Sequence, residues 1–245
     1  MLRLMLMLLA VMVGAQTAGA SGSAPKSSSS KIRASKAAGS KSAGLSRAER
    51  NLIKHRGKRV GRMVGWPVPE KDLLPEPPAR PSGKLHIYSL SYKDDADVNI
   101  YNSDGSFNLQ ALAEINHIFK CRRSGLEHDI DTRLITILAQ IYDHYGGRRI
   151  ELLSGYRFQR RTTSNHFHGA AADIRIAGID PRQIRAYAES LDAGGMGVGW
   201  YPKVGFIHVD VREPPSYRWI DNSKSNPDAR DRKPPRGFKR RDPQS

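Results

Sequence analysis

The charges of this 245-residue chain divide it into three parts, and only the middle part is built to hold a core. Residues 21–84 carry a net charge of +11 and residues 222–245 a net charge of +5, whereas residues 85–221 balance at −1. The flanks are rich in Ser, Ala, Gly, Pro and basic residues. They hold too little apolar surface to offset the entropy of ordering them. The middle segment is long enough for one buried core. The organisation expected is therefore a disordered linker over 21–84, a domain over 85–221 and a disordered tail over 222–245.

Residues 1–20, MLRLMLMLLAVMVGAQTAGA, carry one early charge at Arg3, an apolar run from Leu4 to Val13 and the small residues Ala18-Gly19-Ala20. That is the pattern of a cleaved export signal. The run is shorter than the roughly 20 apolar residues of a membrane span. Export to the periplasm or cell envelope is expected, with no transmembrane span after cleavage. Cys121 is the only cysteine, so the core must suffice without a disulfide. The basic flanks read most simply as solvated spacers, with adhesion to an anionic envelope polymer as the functional alternative. No aromatic residues interleave with their charges as in a nucleic-acid module, so no specific nucleic-acid partner is expected.

Within 85–221 the elements are legible. LHIYSL (85–90) reads as a strand. Asn108 is placed to cap a helix to about Arg122, with Leu109, Leu112, Ile115 and Phe119 on one face. A second helix begins at Asp131, turns Leu134, Ile137, Leu138, Ile141 and Tyr145 inward, and stops at Gly146-Gly147. RIELLSGYR (149–157) and AADIRIAG (171–178) read as strands. Asp180-Pro181 opens a third helix, and GGMGVGWYP and VGFIHVDVR close the domain as strands. Helices that come mostly before strands predict an α+β fold with a small antiparallel sheet.

Chemistry concentrates in SNHFHGAAAD (164–173) and FIHVDV (206–211). His166 and Asp173 are seven apart, which excludes a one-turn helical pair. Gly169 and the alanines suggest a tight turn into a strand that brings the histidine back towards the carboxylate. His208 and Asp210 share one face of a strand. Two histidines and a carboxylate are a donor set expected of a catalytic zinc that keeps one position open. Taken singly, each histidine reads more simply as structural or exposed. The pair His117 and Cys121 reads as packing and surface, and GGMGVG lacks the spacing and following helix of a phosphate loop. These glycines instead suit a strand that passes close to a cleft.

Ser164, His166, Gly169, Ala171 and Asp173 match the S-x-H-x-x-G-x-A-x-D signature, and the domain resembles the zinc peptidases of the D-alanyl-D-alanine carboxypeptidase and murein endopeptidase superfamily. SGYR (154–157) and GGMGVGWYPKVGFIHVD look like its bacterial branch first catalogued as a domain of unknown function. The resemblance implies a hedgehog/DD-peptidase-like zinc fold and zinc held by His166, Asp173 and His208. Such a site acidifies a water and polarises the scissile carbonyl. Arg157 is the expected stabiliser of the oxyanion or holder of a substrate carboxylate, its alternative being a pair with a local acid. Ser164 is expected to shape the loop, and Trp200 and Tyr201 to line the cleft or join the core.

The general base is where the chain departs from its superfamily. The carboxylate commonly found three residues before the last histidine is replaced by Gly205. Asp210 is the expected substitute, with orientation of a ligand as its other reading and His168 as a further candidate base. The function implied is an exported zinc metallopeptidase acting on peptidoglycan stem or cross-link peptides, as endopeptidase rather than carboxypeptidase. Two alternatives come from other classes: a zinc-containing murein-binding module without turnover, and a polyanion-binding protein that works through its tails.

Overall fold

The computed structural model describes residues 58–60, 62–159 and 161–224. The expected export signal at 1–20, the first part of the expected linker and most of the expected tail lie outside them. Nine strands form one mixed sheet: β1 (Lys58–Val60), β2 (Met63–Pro67), β3 (Lys84–Ser89), β4 (Asp94–Asn99), β5 (Ile150–Ser154), β6 (Ala171–Ile176), β7 (Met196–Tyr201), β8 (Phe206–Val211) and β9 (Tyr217–Asp221). Their order across the sheet is β1-β2-β9-β7-β8-β6-β5-β3-β4. Among the described residues three α-helices accompany it: α1 (Leu109–Ile118), α2 (Thr132–His144) and α3 (Pro181–Ser190).

The α+β class holds, but the sheet is neither small nor purely antiparallel. β3 pairs parallel with β5, and β7 parallel with β9. The first parallel pair is joined by a crossover long enough to hold α1 and α2, as parallel neighbours require. The sheet also reaches back beyond residue 85. β2 pairs with β9, and β1 pairs with β2. Residues 58–67 are therefore not a spacer. Strand β1 has three residues and prolines follow at 67 and 69, so no periodicity marks this hairpin in the sequence.

Local chemistry sets the helix starts. The Asn108 side chain accepts from the backbone N–H of Gln110 and Ala111 at 3.0 and 3.3 Å, and Asp131 and Asp180 cap α2 and α3 through Arg133 and Arg182 N–H. Gly146 and Gly147 end α2 with φ of 65° and 76°, a conformation natural to glycine. The buried face of α1 differs from expectation. Ala111, Ile115 and Ile118 point inward with the following Phe119, while Leu109 stands 78% exposed at the first turn.

Strand alternation gives the sheet two unlike faces. In β8, Ile207, Val209 and Val211 join the main core with Leu134, Leu138 and Ile184 of the helices. Phe206, His208 and Asp210 point the other way. There a smaller cluster of Tyr201, Phe206 and Trp219 sits beside the polar residues. The helices thus cover one face, and the second face holds the site.

Candidate metal centre and cleft

The quoted loop folds as its small residues suggest. Residues 164–169 turn, and β6 begins at Ala171. Gly169 has φ of 66°, and a Cβ there would lie 2.2 Å from Asp129 O. Asp131 N donates to Gly169 O at 3.0 Å. The turn is thereby pressed against the start of α2, and only glycine fits. This close approach carries His166 over the sheet to Asp173.

Register then assembles the site as a row across strands. Asp173 of β6 pairs with His208 of β8, His208 with Gly199 of β7, and Gly199 with Trp219 of β9. The next row runs Ala171, Asp210, Gly197 and Tyr217. A Cβ on Gly199 would meet the Trp219 indole at 2.2 Å, and one on Gly197 would meet Asp210 and Arg212 at 2.3 Å. The glycines of GGMGVG clear space on the cleft side for an indole and an ion pair. Gly199→Ala should cost about 1–3 kcal/mol by overpacking a rigid ring, measurable as a lower urea midpoint. An unchanged midpoint would refute this reading.

His166, Asp173 and His208 converge and are buried. His166 Nε2 lies 3.1 Å from His208 Nδ1 and 3.4 Å from Asp173 Oδ1, and His208 Nδ1 lies 2.9 Å from Asp173 Oδ1. Three donors bound to a tetrahedral ion at about 2.0–2.1 Å sit about 3.3 Å apart. The triangle already has that size. The outer nitrogens are tied in the matching sense. His166 Nδ1 is 2.7 Å from Gly155 O, and His208 Nε2 is 2.9 Å from Asp210 Oδ2. With each outer nitrogen donating, both lone pairs turn towards Asp173. Three electron-rich atoms aimed at one buried point need a cation there, so the residues fit a metal.

Without a metal, a proton serves. Burial and the Arg157 charge hold His166 below the usual histidine range, hence neutral. Burial also opposes charge on His208, but hydrogen bonds and charges of Asp173 and Asp210 reverse this and push it up to about 9. Burial would raise both carboxyls. Asp173 is instead held well below the carboxylate range, first by Arg157, and Asp210 is held low by its bonds to His208 and Arg212. A metal must therefore displace the His208 proton. Uptake by metal-free protein should release about one proton per ion at neutral pH, with affinity rising about tenfold per pH unit until about pH 9. The sign for folding is opposite. The stability that protonated His208 gives the metal-free protein is full below about pH 6.5 and is lost as pH rises through about 9. Calorimetry in buffers of different ionisation heat checks the proton count, and a pH-independent affinity would contradict it.

Neighbouring residues fix these donors. Arg157 is buried; its Nη2 bonds Asp173 Oδ2 and its Nε donates to Ser154 Oγ at 2.7 Å. Expected at the substrate, it does not line the cleft; it pairs with the local acid Asp173, the alternative reading. Asp210 accepts from His208 Nε2, from Asn165 Nδ2 at 2.8 Å, and from Arg212 Nε and Nη2 at 2.7 and 2.5 Å. It lines the cleft on the Nε2 side of His208, with its acceptor sites taken. His168 is exposed and turned to Thr162 O at 2.6 Å, away from the cluster.

A cleft of about 450 Å³ opens onto the cluster. His166, His208, Ser164, Tyr201, Trp219 and Arg212 line it, and Glu213 is its exposed carboxylate. Tyr201 is thus in the cleft, its hydroxyl accepting from Trp219 Nε1 at 3.2 Å. Trp200 is not. Strand alternation sends it to the helix face, where Arg185 lies over its ring at 5.7 Å. Met63, from the hairpin, also lines the cleft. Asn165, Arg212, Tyr217 and Trp219 escaped the sequence reading. The signal for Arg212 was present in its same-face spacing from Asp210.

Comparison with known proteins agrees with this geometry. The family model for peptidoglycan L,D-endopeptidase MepK matches residues 78–217. The probable peptidoglycan L,D-endopeptidase MepK of Haemophilus influenzae is 34% identical over 119 residues, spanning 43% of this chain and 63% of that protein. The peptidoglycan L,D-endopeptidase MepK of Escherichia coli is 34% identical over 183 residues, spanning 69% of this chain and 96% of that protein. No solved structure matches. The chain belongs to the peptidoglycan L,D-endopeptidase MepK family.

Proposed function

We propose that this chain is an exported zinc metallopeptidase that cuts peptidoglycan cross-link peptides as an endopeptidase. The observation that carries the reading is the preformed triangle of His166 Nε2, His208 Nδ1 and Asp173 Oδ1. Its nitrogen and oxygen donors suit zinc, and three protein ligands leave a fourth position for chemistry. When bound, zinc would supply Lewis acidity, polarising a carbonyl and acidifying a water. The superfamily fold, hedgehog/DD-peptidase-like, is part of this reading. So is an envelope location, which the relatives' named substrate favours. Among the described residues no helix is long and apolar enough to cross a membrane.

The chain's own residues do the rest. Arg157 holds Asp173 ionised and aimed. Asp210 keeps the proton of His208 on Nε2, so that Nδ1 faces the ion. Asp210 is therefore read as a positioning residue rather than the base. Glu213, exposed in the cleft lining, is assigned the proton transfers. Tyr201 and Trp219 form the apolar wall against which a peptide lies.

A second reading is a zinc-holding murein-binding module without turnover. It is favoured by Gly205 at the usual base position and by the full engagement of Asp210. Incubating full-length protein with purified murein, with and without a chelator, separates the two. The peptidase reading expects peptides that appear only without chelator and return when zinc is restored, with Glu213→Gln about 10²-fold slower at full zinc content. Zinc-loaded protein that releases no peptide would establish the binding module. The basic flanks are proposed to hold the enzyme on anionic envelope polymers. Were they the working part, deleting residues 21–57 and 225–245 would abolish hydrolysis of soluble fragments, which the peptidase reading expects to survive.

A further inference from the structure

We propose that Arg212 reads a free carboxylate next to the scissile bond, so that the enzyme favours peptides with that group unamidated. The inference rests on the peptidase reading and specifies its substrate. Arg212 follows β8, two residues beyond Asp210, and lines the cleft beside His166 and His208. About a quarter of its side chain is exposed. Its guanidinium is fixed on several sides. Nε and Nη2 grip both oxygens of Asp210, and the rings of Tyr217 and Trp219 lie 5.9 and 5.7 Å from its central carbon. Its backbone N–H donates to Gly195 O at 2.9 Å. Gly197 leaves the space into which the ion pair fits. Nη1 is the one nitrogen of the group that makes no hydrogen bond among the described residues.

A guanidinium held by two of its nitrogens still presents the N–H groups of the third in a fixed direction, which suits a carboxylate. Of the other arginines, Arg157 is enclosed with Asp173. Arg161 shares the cleft lining, but it is exposed and its Nε reaches a hydroxyl, Thr163 Oγ1 at 3.4 Å, whereas Arg212 is held by both oxygens of a buried carboxylate. Only the His208 imidazole separates the Asp210–Arg212 pair from the ligand cluster. In a bond from an L-residue carbonyl to a D-residue amine, the D-residue bears its carboxyl on the carbon next to the scissile nitrogen. That group lies about 4 Å from the reacting carbonyl, one residue along the chain. Left free, it is an anion within reach of Nη1. Amidated, it offers no charge to pair.

The probes are acetyl-L-Lys-D-Ala and its C-terminal carboxamide. Calorimetry measures their binding to metal-free full-length protein, and steady-state assays with the zinc-loaded enzyme give kcat and KM. The wild type should bind the carboxylate at least about 10-fold more tightly, as expected for one charge-assisted contact. Arg212→Gln should bring the two peptides within about twofold by losing only the carboxylate's advantage, seen in KM more than in kcat, and Arg212→Lys should restore part of it. Asp173→Asn, which removes a metal donor but no contact of Arg212, should preserve the preference in the metal-free protein while zinc uptake is lost. That separates recognition from metal binding. Equal binding of the two peptides by the wild type, or binding of neither, overturns the inference, as does a preference that survives Arg212→Gln. A wild type that prefers the carboxylate yet hydrolyses neither peptide nor murein would defeat the peptidase reading and leave Arg212 as the recognition group.

Discussion

Asp173→Asn should end stoichiometric zinc uptake and lower murein peptide hydrolysis by about 10³-fold or more. The carboxylate is the only anionic donor of the triangle, and it is buried against Arg157. An amide of the same shape keeps the packing but removes the charge that balances the cation. Its NH2 group either faces the guanidinium, which can only donate, or engages the imidazole lone pairs that the ion requires. Lewis-acid stabilisation worth several kcal/mol is lost with the ion, and each 1.4 kcal/mol is tenfold in rate. Metal analysis with a hydrolysis assay checks both halves. Retained activity without zinc would detach chemistry from this cluster, and retained zinc would detach the metal from Asp173.

Arg157→Met should destabilise the metal-free protein by about 3–5 kcal/mol, because it strips a buried carboxylate of its guanidinium partner and leaves protonated His208 to serve both Asp173 and Asp210. That is a large share of the ~5–15 kcal/mol by which domains of this kind are folded. Zinc should recover more stability in the variant than in the wild type, since the ion replaces the missing positive charge beside Asp173. Equilibrium urea unfolding with and without zinc measures the difference. A variant as stable as the wild type would mean that Asp173 does not depend on Arg157. An equal gain from zinc in both proteins would mean that ion and guanidinium act independently.

These two expectations show what the residues alone disclose. The signature SNHFHGAAAD, with His208 downstream, marks three donors and a turn that returns one to another, because Gly169 and the alanines exclude bulky alternatives. Capping by Asn108, Asp131 and Asp180 marks the helix starts through backbone chemistry confined to a few residues. The role of Arg157 was less legible. A guanidinium suits a substrate anion and a ligand carboxylate equally, and only the fold places Asp173 beside it with its charge buried. Asp210 has the same ambiguity. Its position on the His208 face is readable from alternation, but its saturation by Asn165 and Arg212 depends on a loop and a strand end meeting. The hairpin at 58–67 is invisible locally. Its pairing partner, β9, lies about 150 residues away, and Met63 reaches the cleft only through that pairing.

The central claim is that two imidazoles and one carboxylate surround a single zinc ion with room for one further ligand. X-ray absorption on the zinc-loaded full-length protein reads this shell without reference to turnover. The account predicts four light-atom neighbours at about 2.0–2.2 Å, with the outer-shell scattering of two imidazoles and no sulfur. In His208→Ala one imidazole contribution should vanish, or the ion with it. A shell of six oxygens, a sulfur neighbour, or a spectrum unchanged by His208→Ala would contradict it.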